Sequence, residues 1–132
     1  MKTGLFQPTT SMKDSEALHQ AAQYGRDCSG HPDYKHGAII RIKNEYYYGA
    51  NRLKTNSKSP KPFKGVCAEF DAVLKVCNRL LPYSHKPFKK ATLYVARYNK
   101  SGNLANSKPC KWCQEMIDKL GIKRVVYSTN EI

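Results

Sequence analysis

Acidic side chains are scarce in this chain: 10 Asp and Glu stand against 23 Lys and Arg in 132 residues, a formal charge of +13. A surface of that sign gathers anions, so nucleotides, nucleic acids and acidic surfaces are all admitted as partners, and charge does not choose among them. Long apolar runs are lacking too. No stretch nears the roughly 18 to 20 apolar residues of a membrane span, and the N-terminal MKTGLFQPTTSMKDSEAL has no apolar centre of the kind that secretory signals carry. A soluble cytoplasmic protein with no membrane partner is expected. Its five cysteines are an odd number, and reducing conditions favour metal ligands or buried thiols over a disulfide framework. No internal repeat, low-complexity tract or linker interrupts the sequence, so one domain over residues 1–132 is expected.

What is present alternates between helical and strand patterns. From Ser11 to Tyr24 the apolar positions Leu18, Ala21 and Ala22 follow helical spacing, with Ser11 or Asp14 able to cap the start and Gly25 the end. His36–Lys43 and Tyr46–Ala50 are rich in β-branched and aromatic residues and read as an antiparallel pair turning at Asn44 and Glu45. Asn51 to Gly65 is a basic loop carrying Lys54, Lys58, Lys61 and Lys64. A second helix begins at Cys67, buries Phe70, Val73, Leu74, Cys77, Leu80 and Leu81 on one face, and stops at Pro82. Ala91–Arg97 fits a buried strand and Asn99–Lys108 a polar connection. Pro109 suits the first position of a third helix, whose face is Cys113, Met116, Ile117 and Leu120 and whose end is Gly121. Arg124–Ser128 is a last strand, and strand–helix–strand succession implies a crossover between parallel strands. The expected fold is a three-layer α/β domain with a mixed sheet of about four strands between helices.

The chemistry concentrates at two helix starts. Cys110 and Cys113 lie three apart, on one helical face, within reach of one metal ion. By itself C-x-x-C fits a structural zinc site, a redox pair or coincidence. Cys67 supplies a third ligand if the start of the second helix meets that of the third, where free N–H groups and the helix dipole favour thiolate. Three protein ligands leave a fourth position open for water, as in catalytic rather than structural zinc sites. Glu69 stands two residues beyond Cys67 and is the candidate proton carrier.

Through VCAEFDAVLK at Val66–Lys75 and SKPCKWCQEMI at Ser107–Ile117 the chain resembles the cytidine deaminase superfamily. GAII at Gly37–Ile40, GAN at Gly49–Asn51 and TLYV at Thr92–Val95 look like that family's first three strands, so the resemblance covers about Lys35 to Ser128. Within the superfamily the chain is most similar to small phage-type cytidine or deoxycytidylate deaminases. The resemblance implies one Zn2+ per chain on Cys67, Cys110 and Cys113. It also implies hydrolytic loss of ammonia from a cytosine ring, with Glu69 taking a proton from water and returning protons to the ring nitrogen and the departing ammonia. It implies that Asn51 hydrogen-bonds the substrate sugar. Ala68 and His36 are counted with the substrate-binding residues, as are Lys54 and Lys64, whose loop runs between Asn51 and Cys67 and can reach a 5′ phosphate.

The chain departs from the pattern in places. Enzymes of nucleotides and nucleic acids mostly carry His where this chain has Cys67, and the nucleoside enzymes that carry Cys offset the extra negative charge with an arginine where this chain has Gln114. Lys108, Lys111 and Arg97 are the candidates for that offset. The final helix and strand of larger relatives are missing, and the run Tyr46-Tyr47-Tyr48, taken as an edge strand, predicts a homo-oligomer. The leading substrate is a small cytosine nucleotide or nucleoside, with deoxycytidine monophosphate (dCMP) first. The alternatives are cytosine or adenine within single-stranded nucleic acid and, in another class, a non-catalytic zinc-stabilised nucleic-acid-binding module.

Overall fold

The first helix forms where small residues recur at helical spacing. Asp14–Cys28, α1, is preceded by Lys13, whose backbone N–H is accepted by the Glu16 carboxylate at 3.0 Å, and it buries Ala17, Ala21, Ala22 and Gly25. The apolar spacing predicts an end near Tyr24 with Gly25 as the stop. In the computed structural model, which describes residues 5–6, 13–31, 34–52, 66–80 and 86–130, the helix runs one turn further, to Cys28. Gly25 serves close approach instead: a Cβ there would lie 2.5 Å from the backbone of His36 and Gly37. Cys28 is accordingly the exposed last residue of α1.

The other elements are β1 (Leu5–Phe6), β2 (His36–Ile42), β3 (Glu45–Ala50), α2 (Ala68–Leu80), a 3-10 turn (Lys86–Lys90), β4 (Thr92–Tyr98), β5 (Leu104–Ala105), α3 (Lys111–Leu120) and β6 (Arg124–Tyr127). The hairpin between β2 and β3 turns on Lys43 and Asn44, with Lys43 in the left-handed region at φ 56°, and Glu45 belongs to β3. The sheet order is β1-β3-β2-β4-β5, and β6 joins β4 in parallel while the other pairs are antiparallel. Four strands of four residues or more match the expected mixed sheet. The two-residue strands β1 and β5 are additions that no periodicity announces.

Alternation along the strands divides the core into two layers. Ala38, Ile40, Ile42, Tyr47, Leu93 and Val95 face Ala68, Ala72, Val73 and Val76 of α2 and Ile117 of α3. Ile39, Tyr46, Tyr48, Tyr94 and Ala96 face Ala17, Ala21 and Ala22 of α1. Each of the larger side chains, once buried, contributes roughly 1.5–3 kcal/mol. Asp14 ties α1 to the sheet by accepting a bond from the Tyr94 hydroxyl at 2.9 Å and pairing with Arg124 of β6.

The tyrosine run is not an exposed edge. Tyr46, Tyr47 and Tyr48 are each 1 % exposed, because β1 pairs with Tyr46 and Tyr47 and the two helices cover alternate rings. Beyond β1 the end of β3 is closed by a side chain: the Asp71 carboxylate of α2 accepts the Ala50 N–H at 3.0 Å and pairs with Arg52 at 2.9 Å. The outer edge of β6 has no strand partner among the described residues.

Candidate metal centre

Two helix starts converge above the sheet. Cys67 precedes α2, and its carbonyl accepts the Asp71 N–H at 3.0 Å, the first bond of the helical ladder. Cys110 precedes α3 in extended conformation, its carbonyl accepting the Gln114 N–H at 2.8 Å. Both cysteines are therefore cap residues, just outside the helices in which the sequence reading had placed the start; Pro109 stands one residue earlier still. Cys113 follows in the first turn of α3 and is fully buried.

The Sγ atoms of Cys67, Cys110 and Cys113 all lie within 4.8 Å of one another, and no other such set of three occurs among the described residues. Sulfurs about 2.3 Å from a tetrahedral zinc stand roughly 3.8 Å apart, so this donor set can close on one ion with a small adjustment. Cys113 carries the electrostatic signature of the crowding. A hydrogen bond with Cys67 raises its thiol pKa most, followed by burial and by the charge of Glu69. A divalent cation relieves that repulsion. The N-terminal ends of α2 and α3, each worth roughly half a positive charge, both point at the cluster and offset part of the third thiolate. Gln114 takes no part in this, since its amide donates to Asp118 at 3.0 Å on the exposed side of α3.

Glu69 lies in the first turn of α2, two residues from Cys67, and is only 5 % exposed. Ala68 is buried between them, and its carbonyl would stand 2.3 Å from a Cβ on Gly49, so α2 rests directly on the β3 backbone.

The expected substrate side is built around His36. Its ring Nδ1 meets the Ser107 hydroxyl at 2.6 Å, and burial first, then the charges of Arg97 and His31, push its pKa down to about 4, so it is neutral at pH 7. The His36 N–H donates to Asn51 Oδ1 at 2.9 Å, and the same oxygen accepts the Ser29 hydroxyl at 2.6 Å, while Asn51 Nδ2 donates to the Tyr34 carbonyl at 2.7 Å. Among the described residues three of the four hydrogen-bonding positions of this amide are thus used, and one N–H has no partner. Lys54, Lys58, Lys61 and Lys64 lie outside the described residues. Arg52 and Val66, on either side of that segment, exchange two backbone hydrogen bonds of 3.0 and 2.8 Å, so its two ends meet beside Asn51 and Cys67.

Sequence reasoning assigned no role to Ser107, Ser128 or Asp71. Ser107 N–H donates to the Ser128 carbonyl, and the buried Ser128 hydroxyl donates to Ala105 at 2.6 Å, stitching the segment before Cys110 to the end of the sheet. A serine in a polar stretch carries no signal for this. Cys77 is a half-buried thiol against the core, and Trp112 packs edge-on to Phe70 at 5.9 Å within the chain.

A three-layer fold with three thiols at paired helix starts and an acid beside them defines a zinc protein of hydrolytic type. Residues 11–129 match the family model described as the cytidine and deoxycytidylate deaminase zinc-binding region, and the chain belongs to that family of zinc-dependent deaminases. Its fold is similar to the dCMP deaminase of the cyanophage S-TIM5 in apo form, at 24% identity over 88% of this chain and 84% of that one, with a TM-score of 0.60. The cytidine deaminase of Burkholderia pseudomallei is similar at 19% identity over 86% and 83%, with a TM-score of 0.61. The S-TIM5 enzyme in complex with dCMP and dUMP is similar at 22% identity over 89% and 83%, with a TM-score of 0.56. No curated protein is a significant match. No helix among the described residues is long and apolar enough to cross a membrane.

Proposed function

We propose that this chain hydrolyses the amino group of a small cytosine nucleotide, converting dCMP to dUMP and ammonia. The observation that carries the reading is the meeting of three cysteine sulfurs within 4.8 Å at two helix starts, with the buried Glu69 two residues from one of them. Cys67, Cys110 and Cys113 hold the ion, which when bound supplies Lewis acidity and acidifies water. Glu69 takes a proton from the attacking water and delivers it to the ring nitrogen, then takes the proton of the new ring hydroxyl and delivers it to the leaving amine. A C–O bond forms at the ring carbon, the C–N bond breaks, and ammonia departs. The remaining Asn51 N–H serves the sugar, and the Ala68 N–H, in the first turn of α2, is free of the helical ladder and serves the base. His36 supports both sides by holding Ser107 and Asn51. Lys54 and Lys64 add attraction for the phosphate.

The test compares catalytic efficiency on deoxycytidine, dCMP and a short single-stranded oligonucleotide at two salt concentrations. dCMP is expected to lead with mild salt dependence. An oligonucleotide that leads at physiological salt, with steep salt dependence, transfers the function to nucleic acid, and zinc retention without ammonia release on any of the three leaves a binding module. A homo-oligomer is part of the proposal, supported by the edge of β6, which has no strand partner among the described residues, rather than by the tyrosines, and light scattering showing only the 15.0 kDa species would remove it. A cytoplasmic location is likewise proposed, supported by five cysteines with no disulfide among them, a state that a reducing compartment preserves.

A further inference from the structure

We propose that Arg97 is the residue that grips the phosphate of the nucleotide, with Tyr34 bracing its guanidinium. The inference rests on the reading above and names the contact that sets its preference for a phosphorylated substrate.

Arg97 lies near the end of β4, opposite His36 in the sheet register. Strand alternation places it on the face of Leu93 and Val95, which is the face covered by α2 and α3. Its Nε donates to the Asn106 carbonyl at 2.9 Å, next to the Ser107 that holds the His36 ring. The guanidinium carbon stands 5.4 Å from the centre of the Tyr34 ring. That ring is itself well placed, since the Tyr34 carbonyl accepts from Asn51 and its N–H donates to His31 Nδ1 at 3.0 Å. Tyr34 is nonetheless 57 % exposed, so it braces Arg97 from the solvent side of the site.

Among the described residues one of the five donors of Arg97 is used, and the four on its two terminal nitrogens have no partner. Among the described residues on this side of the site, the other basic groups are engaged or uncharged. Lys35 donates to the carbonyls of His31 at 2.7 Å and Ser29 at 3.4 Å, and His36 is neutral at pH 7. Arg52 is paired with Asp71. Among the described residues Arg97 forms no ion pair with a carboxylate. A guanidinium oriented on two sides, with its fork uncommitted, matches the oxygens of a phosphate in paired hydrogen bonds. Asn51, proposed for the sugar, ends the strand on the other side of β2. Its backbone is therefore roughly 10 Å from that of Arg97, a gap that a sugar and its phosphate fill once both side chains reach inward.

The experiment measures kcat/KM on dCMP and on deoxycytidine for the zinc-loaded wild type, Arg97→Gln, Arg97→Lys and Tyr34→Ala, with zinc content and Tm of each. The quantity read is the ratio of the two efficiencies. Arg97→Gln should lower it by at least about tenfold, chiefly through KM for dCMP, since charge-assisted contacts of this kind are worth that much or more. Arg97→Lys should recover part of it, because the charge stays and the fork is lost. Tyr34→Ala should lower it by about threefold. An unchanged ratio in Arg97→Gln overturns the proposal, as does a proportional loss on both substrates, which marks a structural role. Should Arg97→Gln fail to fold, Arg97→Lys decides, and a ratio within twofold of wild type overturns the proposal. Wild type without preference for dCMP is a different failure: it ends the nucleotide reading from the wild-type rates alone and takes this inference with it.

Discussion

A methyl group on Gly49 tests how the fold positions the chemistry. In Gly49→Ala the new Cβ would lie 2.3 Å from the Ala68 carbonyl oxygen and 2.4 Å from the Ala72 N, and both neighbours are helix backbone rather than movable side chain. Carbon and oxygen come no closer than about 3.3 Å in comfortable contact, so α2 must retreat from β3 by about 1 Å. Overpacking of this kind costs about 1–3 kcal/mol, or a fall in Tm of about 4–11 °C for a chain of this size. The displaced element carries Cys67 and Glu69, whereas Cys110 and Cys113 stay with α3, so the same 1 Å separates one ligand and the acid from the other two ligands. A misplacement of that size can cost about a hundredfold in rate. The assay is deamination of dCMP alongside zinc content and thermal unfolding. Activity is expected to fall much further than the surviving folded fraction explains, with weakened zinc retention. A variant with wild-type Tm, zinc and turnover would refute the packing argument and with it the claim that β3 sets the height of α2.

Cys110→Ala and Cys113→Ala should each lose the single zinc and lower Tm, read by metal analysis and calorimetry; full retention in both removes the ligand assignment. Glu69→Ala and Glu69→Gln should keep zinc and fold but lose at least about a hundredfold in turnover, and near-normal rates would mean that another group moves the proton. His36 has a folded pKa of about 4 against an ordinary 6.5, so the unfolded chain binds the extra proton first as pH falls. Its contribution is therefore present above about pH 6.5 and is lost as pH drops towards 4, by up to about 3 kcal/mol. Urea unfolding of wild type and His36→Gln across that window should show a steeper decline for the wild type; parallel curves would place the acid sensitivity elsewhere.

The parts of the molecule that depend on neighbours in sequence were legible without a structure. The spacing of Cys110 and Cys113 within one turn, the glutamate two residues after Cys67, and the apolar face of α3 follow from a helical period of 3.6, and β2 through β4 follow from β-branched and aromatic runs. The helix α2 itself was legible, but its buried face is Ala68, Ala72, Val73 and Val76, with Leu74 exposed, because contact with β3 favours the small side chains over the large ones. Local signals also misled where they had two uses. Gly25 reads as a helix stop but serves backbone contact with β2, and three consecutive tyrosines read as an exposed edge because nothing local reveals that β1 pairs with them from about 40 residues away. That Cys67 reaches the other two sulfurs was a conditional in the sequence and a fact only of the tertiary structure, since it requires Gly49 to seat α2 against β3. The same holds for the Asp71 carboxylate on the Ala50 N–H, for His36 on Ser107 across 71 residues, and for Arg97 held between Asn106 and Tyr34. Each is a contact between polar groups on different elements, and such contacts leave no periodicity in a sequence because they depend on how whole elements pack.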